Sequence, residues 1–220
     1  MKATAILAAA GSGERLGASE PKAFAELAGR PMVAWSLAAL EAAGAVDRVL
    51  VTVPDGYGDH PALAGAEAVP GGPSRSQSVA NALERVEGEL VVVHDAARPL
   101  AAPELFDETL ATLAGDAELA GIVAATPVTD TTKEVLRGRE VHRTLDRWSL
   151  WAAQTPQAFR TEALRAALGS TEVLGQASDD AMLVERHGGR VLVHEAPPEN
   201  FKVTTELDLR LAEHLLSTRG

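Results

Sequence analysis

Cysteine is absent from the 220 residues. That excludes disulfides, thiolate zinc sites, iron–sulfur clusters and a cysteine nucleophile, and it suits a reducing, cytoplasmic compartment. Positive charge is scarce as well: 20 Lys and Arg stand against 31 Asp and Glu, a net charge of −11. Neither nucleic acid nor an anionic membrane surface is therefore an expected partner, and any anionic ligand must be held by a local cluster of cations. No apolar run approaches the roughly 20 residues that cross a bilayer. The segment closest to a signal peptide is the start, Lys2 followed by ATAILAAA. Its apolar part is short and it runs straight into GSGERLG, so it reads as a buried first strand. Repeats, low-complexity tracts and linkers are also missing.

What is present is globular. Hydrophobic residues make up 46% and charged residues 23%, and the length suits one domain over residues 1–220 with a sizeable core. Compact apolar runs at 3–9, 48–53, 90–94, 122–125 and 190–194 lack polar alternation, which predicts strands covered on both faces of a mainly parallel sheet. Helical patterns lie at 32–43, 76–86, 103–113, 161–168, 179–186 and 205–216. This alternation predicts an α/β fold wound by right-handed crossovers. The exception is 129–150, TDTTKEVLRGREVHRTLDRWSL, where two β-prone stretches flank Arg137-Gly138-Arg139 and predict a projecting hairpin.

Chemistry is suggested at three strand ends. The first run leads into AAAGSGERLGASEPKAF, with Gly11, Gly13 and Gly17 in the turn and Arg15 and Lys22 as its cations. Glycines after the first strand of an α/β sheet let backbone N–H groups approach phosphate oxygens. A dinucleotide loop is the specific rival, with Asp55 as its acidic partner, but the spacing is GxGxxxG rather than GxGxxG. A second turn, Pro70 to Ser78, carries Gly72 and Arg75 and opens a helix that Ser74, Ser76 or Ser78 could cap. A third strand, LVVVHD, ends in His94 and Asp95 with Arg98 following. Asp95 is the candidate for holding Mg²⁺ against phosphates, a hard cation preferring oxygen; the bland reading is a helix cap or an ion pair with Arg98. His94 is expected to pack and hydrogen-bond, not to ligate.

Taken in order, GSGERLGASEPK, GGPSRSQSVANAL, HDAARP, PVTDTTK, TLDR, LWAAQTPQAF, ASDDAMLVE and NFKVTT resemble the 2-C-methyl-D-erythritol 4-phosphate cytidylyltransferase family of non-mevalonate isoprenoid biosynthesis, from about Ala3 to Leu209. The resemblance implies a nucleotidyltransferase-type, Rossmann-like α/β domain and a homodimer joined through the arm. It implies conversion of CTP and a polyol phosphate to a CDP-alcohol and diphosphate. On the same resemblance Ala8, Ala9, Ala10, Gly11, Gly13, Gly72, Arg75 and Ser78 would surround the nucleotide. Arg15 and Lys22 would act on the triphosphate, Asp95 would hold Mg²⁺, and Arg98, Thr131, Arg147 and Lys202 would contact methylerythritol phosphate. Ala23, Pro73 and Glu199 depart from the family's usual residues. Transfer to another polyol phosphate such as ribitol 5-phosphate is the near alternative. A nicotinamide oxidoreductase using the first glycine turn is the distant one.

Overall fold

The computed structural model describes residues 2–11, 20–169 and 178–218. In chain order it contains β1 (Ala3–Ala8), β2 (Glu26–Leu27), β3 (Arg30–Pro31), α1 (Met32–Ala42), β4 (Val46–Val53), β5 (Glu67–Pro70), α2 (Arg75–Leu83), β6 (Leu90–Asp95) and α3 (Pro103–Gly115). There follow β7 (Gly121–Pro127), β8 (Lys133–Val135), β9 (Val141–Thr144), β10 (Trp151–Arg160), α4 (Thr161–Leu168), α5 (Asp180–Arg186), β11 (Val191–Glu195) and α6 (Glu206–Ser217). The sheet has seven strands in the order β11-β7-β10-β6-β1-β4-β5. All run parallel except β10, which lies antiparallel between β6 and β7. This is the mainly parallel α/β fold that the alternating runs predict.

The apolar runs lack alternation because both faces of the sheet are covered. Successive residues of β1 point to opposite sides: Leu7 joins Leu40, Phe106 and Leu113 beneath α1 and α3, while Ile6 joins Val79, Leu83 and Leu164 beneath α2 and α4. Truncating a fully buried ring such as Phe106 to Ala would cost about 3–5 kcal/mol in a core of this kind. The helix α6 is placed differently. It packs with Leu27, Met32, Leu100 and Val203 in a separate cluster beside the small β2–β3 hairpin.

Two strands of the seven-stranded sheet escaped the sequence reading, as did the two-residue β2 and β3. β5 is a short edge strand. β10 carries Pro156, and a proline argues against a central strand because it cannot donate to the ladder. The pairing absorbs it through an irregularity between Ala153 and Gln157, where the register with β7 shifts. The segment 129–150 does project as a hairpin: β8 and β9 pair antiparallel around a turn at Arg137–Arg139 in which Gly138 takes φ +80°. Apolar side chains on this arm, Val135, Leu136 and Val141, are more than half exposed.

From β1 the chain crosses to β4 on one side by α1 and later to β6 on the other by α2. The crevice outside the carboxyl ends of β1 and its two neighbours is thus a topological switch point, where parallel sheets bind ligands.

Candidate active site

A cavity of about 620 Å³ opens at that switch point. Its floor is Ala8, Ala9, Ala10 and Gly11 at the end of β1, Thr52 near the end of β4 and Asp95 at the end of β6. Gly72, Ser74, Arg75 and Ser78 contribute one wall, and Lys22 and Lys202 the others. Gly13, Gly17 and Arg15 lie outside the described residues.

The wall from 70 to 78 is held by its own hydroxyls. Ser74 is the cap of α2, its Oγ accepting from the Gln77 N–H at 3.1 Å. Ser78 instead ties the turn together, accepting from the Gly72 N–H and donating to the Ser74 carbonyl, both at 2.9 Å. Neither glycine of this turn has room for a side chain. A Cβ on Gly71 would stand 2.3 Å from the Cβ of Ala10, and one on Gly72 would stand 2.4 Å from Gln77.

Capping α2 at Ser74 puts Arg75 in its first turn, facing the end of β6. The Arg75 Nε donates to Asp95 Oδ1 at 2.8 Å, and its other arm reaches Asp180 Oδ2 at 2.7 Å. Lys202 takes the second oxygen of Asp95 at 2.6 Å. Burial opposes ionisation of Asp95, but Arg75 and then Lys202 outweigh it and hold the carboxyl well below the usual carboxylate range. Burial likewise works against the charge on Arg75, and Asp180 and Asp95 overcome it, raising its pKa. The Asp95–Arg98 pair considered from sequence is not formed. Arg98 is buried, its Nη1 donates to the Asn200 carbonyl at 2.7 Å, and burial lowers its pKa to about 10.

Asp95 is also oriented through its backbone. Its N–H donates to Thr155 Oγ1 at 3.0 Å, and the same hydroxyl lies 3.0 Å from His94 Nδ1. The far ring nitrogen, Nε2, lies 3.2 Å from the Arg98 carbonyl, which can only accept. His94 therefore carries its proton on Nε2 and accepts from Thr155 at Nδ1. Burial holds the imidazole neutral, its pKa down at about 4. Lys202 arrives on an irregular segment pinned to the same strands: Asn200 Nδ2 donates to Gln154 Oε1 and the Thr155 carbonyl, each at 2.8 Å, and the Val203 N–H donates to the Ala97 carbonyl.

The fold thus gathers Ala8–Gly11, Lys22, Gly72, Arg75, Ser78, Asp95 and Lys202 at one cavity. It leaves Thr131 and Arg147 on the exposed arm, where Arg147 donates to the Thr129 carbonyl at 3.1 Å. Sequence reasoning gave no role to Asp180, Thr155 or Asn200. The fragments ASDDAMLVE, TPQAF and NFKVTT contain them, but only the tertiary contacts show what they touch.

The family model for IspD, 2-C-methyl-D-erythritol 4-phosphate cytidylyltransferase, matches residues 3–218. The chain belongs to this family. Among its relatives, the cytidylyltransferase of Cereibacter sphaeroides ATCC 17023 is 44% identical over 227 residues, spanning 99% of this chain and 98% of its own. That of Azoarcus sp. BH72 is 42% identical, spanning 98% and 94%. The crystal structure of the family member from Thermus thermophilus superposes with a TM-score of 0.82 at 35% identity, covering 99% of this chain and 100% of the other.

For a divalent cation the donor set is sparse. Among the described residues no three His, Cys, Asp or Glu side chains gather, and both Asp95 oxygens already face cations. One ionised carboxylate is nonetheless a fit for Mg²⁺ carried on a nucleotide, since that ion keeps its waters and takes only one or two carboxylates beside phosphate oxygens.

Proposed function

We propose that the protein transfers the cytidylyl group of CTP to 2-C-methyl-D-erythritol 4-phosphate, giving CDP-methylerythritol and diphosphate. The observation that carries this reading is the cation cluster of Arg75 and Lys202 on Asp95, at the switch-point cavity of a chain that its family model covers over 3–218. An oxygen of the acceptor phosphate attacks the α-phosphorus of CTP in line, and the bond to the leaving diphosphate breaks. The nucleophile is already an anion, so no general base is required. Catalysis then rests on positioning and on stabilising charge.

In this reading Arg15 and Lys22 meet the charge that develops on the phosphates. Ala8 to Gly13, Gly72 and Ser78 enclose the nucleotide, and Arg75 lines the same cavity with its guanidinium on Asp95. Lys202 turns from Asp95 to the acceptor phosphate, with Arg98 supporting the segment that carries it. Asp95 would hold Mg²⁺, which would supply positive charge to offset that of the phosphates. Thr131 and Arg147, which are not among the residues lining the cavity, serve the site of a second copy, so the reading includes a homodimer that exchanges arms. A chain without cysteine suits the reducing cytoplasm in which we place it.

The test is diphosphate release from CTP and Mg²⁺ with methylerythritol phosphate or ribitol 5-phosphate as acceptor. Release with the first well above the second is expected. Equal rates, or preference for ribitol phosphate, would overturn the acceptor, and failure of CTP to react with either would overturn the activity.

A further inference from the structure

Asp180 is fully buried, and a buried carboxylate needs a reason to be there. Capping is not that reason. Asp179 caps α5, its Oδ1 accepting from the Met182 N–H at 3.0 Å, and the Ala181 N–H is taken by Gln157 Oε1 at 3.2 Å. The Oδ2 of Asp180 receives the Arg75 guanidinium at 2.7 Å, while its Oδ1 has no hydrogen-bond partner among the described residues. Stability is a weak reason as well, because buried ion pairs can often be replaced by apolar groups at little or no loss.

Two cations meet at Asp95, and they are held unequally. Arg75 is gripped by two carboxylates, one of them wholly buried, and its side chain is 28% exposed. Lys202 is given one carboxylate partner and its side chain is 41% exposed. The start of α5 is itself fixed to β10, since Gln157 both accepts from Ala181 and donates to Asp179 Oδ2 at 3.0 Å. Asp180 is thus a rigid post behind Arg75.

We propose that Asp180 is a positioning residue that locks Arg75 in place as the permanent counter-ion of Asp95, so that Lys202 is the cation that leaves Asp95 for the incoming acceptor phosphate. This rests on the cytidylyl-transfer reading. Without Asp180, Arg75 is free to follow the phosphate, and both cations compete for it while Asp95 loses its fixed partner.

The experiment is a double-mutant cycle on the full-length protein, using Asp180→Asn and Arg75→Ala singly and together. Asp180→Asn should lower kcat/KM for the polyol phosphate about 10–100-fold, as loss of a group that orients a ligating residue does elsewhere. The KM for CTP should stay within about threefold. In the Arg75→Ala background the same change should alter kcat/KM less than about twofold. A second readout needs no turnover: the Arg75 Nε–H resonance of the ligand-free protein should be protected from solvent exchange in the wild type and lose that protection in Asp180→Asn. If Asp180→Asn does not fold, Asp180→Ser replaces it. Equal losses with and without Arg75, a single variant within threefold of wild type, or unchanged Nε–H protection would each overturn the proposal. A wild type that fails to react with CTP would instead overturn the cytidylyl-transfer reading, with the exchange measurement still deciding the part played by Asp180.

Discussion

At the scale of single residues, His94 shows how a side chain outside the cavity governs one inside it. Neutral His94 accepts from Thr155, and Thr155 accepts from the Asp95 N–H, so the carboxylate is aimed by a chain of hydrogen bonds with one consistent set of proton positions. Protonating His94 would give Thr155 a donor where it needs an acceptor. The unfolded chain takes that proton below pH 6.5 and the folded one only below about 4. Between these values the unfolded state binds more protons, so stability falls as pH drops through the window and gains nothing from this group above 6.5. The full effect is about 3 kcal/mol. Urea unfolding at pH 7 and pH 4.5 should show most of that loss in the wild type and a clearly smaller one in His94→Gln. Parallel losses in the two proteins would assign the acid sensitivity to another group.

At the scale of elements, the site depends on how closely the turn between β5 and α2 approaches the end of β1. Gly71 continues the β4–β5 ladder with its N–H on the Val53 carbonyl at 2.8 Å, and its Cα faces the methyl of Ala10. A methyl added there has nowhere to go, because it would also stand 3.1 Å from the Val53 carbonyl oxygen, and the alanine side chain, having no rotatable arm, cannot swing aside. Gly71→Ala should push the turn away from the floor, raise the KM for CTP about tenfold or more, and lower the melting temperature by several degrees, since overpacking of this kind costs about 1–3 kcal/mol. CTP titration followed by calorimetry checks both. An unchanged affinity would mean that the turn does not touch the nucleotide.

At the scale of the whole molecule, the arm at 129–150 holds Thr131 and Arg147 exposed and outside the cavity lining, and exposes Val135, Leu136, Val141 and Trp148. A two-fold dimer would cover such a surface and complete each site with the other copy's arm. Lys22→Ala and Arg147→Ala proteins, each inactive alone, can be unfolded together and refolded. With random mixing half of the dimers are mixed, and each mixed dimer has one site with both lesions and one intact site. Activity should then recover to about a quarter of wild type by two-fold symmetry. A mixture that stays inactive would place Arg147 in its own subunit's site.

The sequence by itself determined the layered α/β core, because apolar runs without alternation can be buried only between two layers of helices. It also determined the hairpin arm, since Gly138 at a positive φ separates two β-prone stretches, the strand-end positions of Ala8 to Gly11 and Asp95, and the glycine turn with Gly72 that opens the helix carrying Ser78. Only the tertiary structure decided that β10, despite Pro156, runs antiparallel through the middle of the sheet, because the irregularity that accommodates the proline is a property of pairing and not of the strand. It decided too which cations Asp95 holds. Arg98 is near in sequence but turns away to Asn200, while Arg75 and Lys202, 20 and 107 residues distant, close on the carboxylate. Asp180 meets Arg75 across 105 residues of chain. Such pairs are fixed by where the crossovers bring helix starts and strand ends together, and no local pattern of charge encodes that.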